Sequence, residues 1–246
     1  MRPFIHILAL LLLAGFENVL AQAKPDFYDR TGNFSFGGGT SMPGEALKSG
    51  GPNGLFAQNG HQVNFGFTYT FFKGLGAGAH IDIVRFGFDH DQFVRYAQPE
   101  AWRVRGKYGG SRFGVHLGYY LPVVIDEKHF TAVLFGEGHA GFRGMNIPDI
   151  DLQYGEYQNR YVTVEYRRRS NTFGYLGYKA GVLFVINNRF GVSAAYMATL
   201  RSRHSMPYNV RKLDAFGNLY EAENYLHNYQ DYTGLQFAVS FTLGKK

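Results

Sequence analysis

Residues 62–71 read Gln62-Val63-Asn64-Phe65-Gly66-Phe67-Thr68-Tyr69-Thr70-Phe71. Every second residue is large and apolar, and every residue between is small or polar. A strand has a period of two, so the two sets project from opposite faces. One face of this segment must therefore meet an apolar medium and the other a polar one. A helix of the same sequence would scatter both sets around its axis.

Working outward, Phe72-Lys73-Gly74 reads as a tight turn into a second alternating run, Leu75 to Ile83, with His80 and Asp82 on its polar row. Upstream, Phe34 and Phe36 alternate with Asn33 and Ser35 over residues 32–40. Downstream the pattern returns at 112–121, 130–142, 175–186, 190–198 and 235–243, which makes eight alternating segments. Short connections follow the second, fourth and sixth, at Phe72-Lys73-Gly74, Pro122 to Lys128 and Asn187-Asn188. Asparagine tolerates positive φ, as a two-residue hairpin requires. Long loops are expected at 41–60, 89–106, 143–172 and 202–230. Each strand core approaches the ~9–11 residues that a tilted strand needs to cross a bilayer. The expected fold is all-β: an eight-stranded antiparallel up-and-down transmembrane β-barrel with long extracellular loops and short periplasmic turns. The soluble alternative is a lipocalin-like barrel, which would turn its large apolar residues inward.

Composition agrees with the membrane reading. Phe 23, Tyr 18 and Gly 32 in 246 residues accompany a mean hydropathy of only −0.23, as strands with one apolar and one polar row require. No later segment has the ~18 consecutive apolar residues of a transmembrane helix. At the N-terminus, Arg2 precedes an apolar run from Ile5 to Ala14, and Val19-Leu20-Ala21 supplies small residues before Gln22. We read residues 1–21 as a signal peptide cleaved before Gln22, or alternatively before Ala23, and residues 22–246 as a single barrel domain. With no cysteine in the chain, disulfides, thiolate metal sites and an acylated-cysteine anchor are excluded. The net charge is +6, and loss of Arg2 and Glu17 with the signal peptide leaves it there. Half of the remaining basic residues, 12 of 24, fall in the expected outer loops, where lipopolysaccharide phosphates are the nearer anions; no nucleic-acid partner is expected.

The chain resembles the small eight-stranded outer-membrane barrels, the group of the OmpA barrel domain and the OmpX and OmpW types. The resemblance covers residues 30–246 and rests on the alternation, the strand count and the long-short rhythm of the connections. It implies an outer-membrane location of Gram-negative type with a periplasmic N-terminus. No peptidoglycan-binding domain is expected after the last strand.

Eight strands enclose an interior that side chains just fill. The inward row is expected to carry His80, Asp82, Arg112, His116, Glu137, His139 and Lys179. Charges in so narrow a lumen must pair, and Asp82–Arg112 and Glu137–Lys179 fall at matching heights, so a structural ion-pair network that plugs the barrel is expected. His80 and His116 fall at similar heights on adjacent strands, where Glu137 or His139 could join them, and histidine and carboxylate ligands suit zinc; short-spaced ligand motifs are lacking, however, and no metal or cofactor is expected. For catalysis the candidates are His204-Ser205 and Ser111 with His116. Asp89/Asp91 and Asp149/Asp151 lack the spacing of a calcium loop.

The loops carry the functional expectation. Tyr154, Tyr157, Tyr161 and Tyr166 precede Arg167-Arg168-Arg169, and Arg201 and Arg203 open the fourth loop. Residues 161–167 alternate again, as if the fifth and sixth strands continued beyond the membrane as a hairpin. Tyrosine and arginine dominate binding hot spots. A non-enzymatic structural or partner-binding role through these loops is expected, among outer-membrane lipid and lipopolysaccharide. The alternatives are an outer-leaflet lipid-modifying enzyme and a narrow pore.

Overall fold

The computed structural model describes residues 31–50, 56–72, 74–106, 108–126, 130–156, 160–168, 171–187, 189–200, 203–229 and 231–243. The expected signal peptide lies outside the described residues, as do Tyr157, Arg169 and Arg201.

In chain order the strands are β1 (Thr31–Pro43), β2 (Ala57–Phe72), β3 (Leu75–Phe88), β4 (Ala101–Arg105), β5 (Tyr108–Asp126), β6 (Phe130–Asn146), β7 (Asp149–Glu156), β8 (Arg160–Arg168), β9 (Asn171–Ile186), β10 (Phe190–Thr199), β11 (Arg203–Leu213), β12 (Leu219–Tyr229) and β13 (Tyr232–Leu243). Eight of them, β1, β2, β3, β5, β6, β9, β10 and β13, pair in that order and close through β1 against β13. All eight contacts are antiparallel. The architecture is the up-and-down barrel that the alternation implies.

Burial decides which row faces in. Phe65 and Leu117 are 49% and 68% exposed, whereas Asn64 and His116 are each 4% exposed. Outward aromatic pairs such as Phe34–Phe67, with ring centroids 4.7 Å apart, run across neighbouring strands. An apolar exterior around a polar interior is the inverse of a lipocalin and is the distribution of a membrane-spanning barrel.

Two connections differ from expectation. β5 runs on through Pro122, which pairs with Val133, and reaches Asp126, beyond the expected start of the second turn. A proline is accommodated there because β5 stops pairing with β3 at Tyr119, and the missing N–H falls on a free edge. The third turn has three residues rather than two: Arg189 N–H donates to the Ile186 carbonyl, and Asn187 takes φ 49°.

The larger correction concerns the loops. Strands β4, β7, β8, β11 and β12 form a second, five-stranded sheet in the order β12-β11-β8-β7-β4. The alternation at 161–167 does form a strand, β8, but its hairpin with β7 lies inside this distal sheet between β11 and β4. Ile147-Pro148 separates β6 from β7; proline cannot continue the ladder, and the chain leaves the barrel there. Two helices lie at this end, α1 (Glu45–Lys48) and α2 (His90–Ala97). Asp89 caps α2 by accepting from the Gln92 N–H at 2.8 Å, and Phe93 of α2 packs with Phe56 and Leu152 under the distal sheet.

Candidate functional site: a layered lumen and a distal sheet

The inward row of β6 reads through the barrel in layers. Val133 and Phe135, near the short turns, join Tyr120, Leu183, Val185 and Ala195 in an apolar plug. Glu137 and His139 follow, then Arg143 and Met145. Met145 belongs to a second apolar cluster with Val84, Tyr108, Met197 and Tyr232, closed over by Leu47 of α1. A polar band is thus held between two apolar plugs.

The band brings together all seven residues expected on the inward row. Register places Asp82 opposite Arg112, His116 opposite His139, and Glu137 opposite Lys179. Arg112 donates from Nε to an Asp82 oxygen at 2.8 Å, and its Nη2 lies 2.7 Å from the same oxygen as an ion pair. Its guanidinium lies 5.0 Å from the Tyr175 ring centroid. Glu137 accepts from Tyr120 O–H at 2.6 Å and lies 2.8 Å from His139 Nε2 and 3.8 Å from Lys179 Nζ. His80 meets the Tyr175 hydroxyl at 2.5 Å, and His116 meets the Thr68 hydroxyl at 2.9 Å.

Glycines opposite these side chains make the band possible. A Cβ on Gly78 would lie 2.6 Å from the His116 ring, and one on Gly118 would lie 2.9 Å from Glu137 Cγ. The opposite wall carries short polar side chains, among them Ser35, Asn64, Thr68, Ser193 and Ser240, and the two walls bound a cavity of ≈ 50 Å³. That is room for about one or two waters.

Some lumen residues were not legible beforehand. Arg143, 4% exposed, falls at the start of the expected third loop, yet the longer β6 places it beside Arg112, where it lies 5.0 Å from the Phe173 ring centroid and 5.3 Å from that of Tyr232. Thr68, Tyr120 and Tyr175 sit on the inward rows, but nothing in sequence marks them as histidine or carboxylate partners.

In the distal sheet the expected interaction residues divide. Tyr154 and Tyr166 pack partly buried against its core, and desolvation raises both hydroxyls above the ordinary tyrosine range. Tyr161 is exposed. Arg167 pairs with Asp151, and with Glu165 at 2.8 Å. Arg105 also holds Asp151, at 2.7 Å, and Arg211 binds Glu221 at 2.7 Å. Arg168 and Arg203 lie in β8 and β11, but their side chains fall outside the described residues. The catalytic candidate Ser111 points out of the barrel, away from inward His116. Asp89 serves as a helix cap and Asp151 as an ion-pair partner, so neither acidic pair stands ready for calcium.

No family model matches the chain, and no curated protein matches it. Among solved structures it is similar to Ail, the attachment invasion locus protein of Yersinia pestis, at 13% identity, covering 87% of this chain and 99% of that one, with a TM-score of 0.43. It is similar to the outer membrane protein OprG from Pseudomonas aeruginosa at 12% identity, over 89% and 99% of the two chains, with a TM-score of 0.42. It is also similar to the outer membrane protease OmpT from Escherichia coli at 10% identity, over 89% and 98%, with a TM-score of 0.31.

Proposed function

We propose that the chain resides in a Gram-negative outer membrane, with its N-terminus in the periplasm, and works as a non-enzymatic binding protein. The distal sheet is its binding face outside the cell. The observation that carries this reading is the sheet itself: a cored, five-stranded platform whose end strands, β12 and β4, each have one edge without a strand neighbour among the described residues. Such an edge offers a ladder of backbone donors and acceptors to a partner strand. β12 sets Tyr220 and Tyr225, 57% and 55% exposed, along that edge, and tyrosine contributes large contact area at small entropic cost. Exposed Arg103 and Lys212 on the same sheet supply cations for lipopolysaccharide phosphates. The lumen network serves this role by keeping the barrel shut and stiff beneath the platform.

The test is recovery of the full chain from gently solubilised outer membranes, with mass spectrometry of what accompanies it, for wild type and for a Tyr220→Glu/Tyr225→Glu variant. A stoichiometric partner lost in the variant, with the barrel still folded, is the expected result. A partner that persists in the variant, or a wild-type barrel recovered alone, overturns the reading.

A further inference from the structure

His80, His116 and His139 come from three consecutive barrel strands, and one ring nitrogen of each lies within 4.8 Å of the others. All three side chains are buried, at 7%, 4% and 6% exposure. Their ring centroids are 4.4 to 5.8 Å apart. Three imidazoles converging in a closed lumen need something to converge on. Packing alone would be served by apolar side chains, as it is in both plugs.

The partners of each ring indicate what that is. Glu137 accepts from Tyr120 and faces Lys179, so it is a carboxylate and can only accept from His139. His139 therefore carries its proton on Nε2 and turns the Nδ1 lone pair inward, 3.4 Å from His80 Nε2. His116 is held at Nε2 by Thr68, and its Nδ1 is buried with no hydrogen-bond partner among the described residues; Nδ1 of His80 is likewise unpartnered. One nitrogen held by the protein and the other turned inward is the arrangement of metal-ligating histidines, with a carboxylate as the outer partner of one. The adjoining cavity of ≈ 50 Å³ leaves room for a solvent ligand in a fourth position.

We propose that His80, His116 and His139 bind one divalent transition-metal ion of the zinc class inside the barrel, with Glu137 orienting His139. This departs from the sequence expectation of no metal. Cross-strand spacing has no linear motif, and it is the register that sets His139 opposite His116 as the third imidazole. Two lumen carboxylates lie on the histidines' side, Glu137 against His139 and Asp82 3.7 Å from His80 Nε2, and they offset the added charge. The ion would tie β3, β5 and β6 together from within.

The test uses the full chain refolded in detergent micelles, with folding followed by heat-modifiable gel migration. After treatment with a chelator it is titrated with Co²⁺, read by visible d–d absorption, and with Zn²⁺ in competition. One equivalent of nitrogen-ligated Co²⁺, displaced by Zn²⁺, is expected. Binding should be lost in His116→Ala and in His139→Ala, and weakened roughly 10–100-fold in Glu137→Gln. It should be unchanged in His61→Ala and His90→Ala. Absence of stoichiometric binding by folded wild type, or binding that survives alanine at each lumen histidine, overturns the proposal. Should the alanine variants not fold, imidazole proton signals of the wild type decide: three rings hyperfine-shifted by Co²⁺ support the site, and unshifted rings overturn it.

Discussion

The barrel and the distal sheet are built from the same strand chemistry but face different media. In the barrel, Val115 and Phe237 are 58% and 60% exposed; in the distal sheet, Tyr220 and Tyr225 are 57% and 55% exposed. The numbers alone do not separate the regions. Their interiors do. The barrel's inward rows hold five ionic side chains, Asp82, Arg112, Glu137, Arg143 and Lys179, between apolar plugs. The distal sheet holds Phe56, Phe93 and Leu152 at its centre and carries its ion pairs on the surface. A strand with lipid on one side must put its polar groups inside and satisfy them there. A strand with water outside buries apolar groups.

The largest effect should come from breaking the barrel's ionic interior. Asp82→Ala leaves Arg112 buried without its carboxylate and should cost about 3–5 kcal/mol, whereas the double variant Asp82→Leu/Arg112→Met should recover most of that. Urea unfolding of the refolded barrel, followed by gel migration, measures both; equal losses in the two variants would show that the pair's charges are not what matters. In the distal sheet the corresponding break is apolar. Leu152→Ala, at a site 2% exposed, should cost about 2–5 kcal/mol locally. Limited proteolysis should then cut within 149–168 while the barrel keeps its folded migration. Loss of the whole molecule would mean that the two regions fold as one.

The exposed faces sharpen the contrast. Val115→Arg should destabilise by about 2–4 kcal/mol if this position lies near the bilayer midplane, while Tyr220→Arg should stay within about 0.5 kcal/mol. Similar costs at both sites would erase the assignment of lipid to one region and water to the other. In planar bilayers wild type should be silent, and Glu137→Ala/Lys179→Ala should stay silent as long as both apolar plugs hold; steps in wild type would show an open path instead. At the distal end a small, pH-dependent effect belongs to the cap of α2. The Gln92 N–H holds the Asp89 carboxyl below its ordinary range, so its cap is fully formed above the unfolded value of about 3.9 and is lost as pH falls through the lower folded value. Asp89→Ala should cost about 1 kcal/mol near neutral pH, and little in strong acid, read by proteolysis of the α2 region at the two pH values.

Legibility in the sequence followed the same division. Strands β2, β3 and β13 were plain because alternation is strict where one face meets lipid. β7, β11 and β12 were hidden in expected loops because a small sheet with polar edges and mixed charge alternates weakly, and because Arg211 and Tyr220 carry no periodic signal. Arg143 is hidden for a related reason: the lipid-facing row of β6 ends at Phe142, although the strand continues to Asn146.

Alternation alone determined the eight barrel strands, their up-and-down order and which residues share a face, since the period of a strand is a local property of the backbone. It also put Asp82, Arg112, His116, Glu137 and His139 on one row. Tertiary structure decided which row faces in, how the long connections gather into a second sheet, and that three histidines from β3, β5 and β6 meet. Those depend on stagger between strands far apart in sequence, set by the closure of the whole barrel.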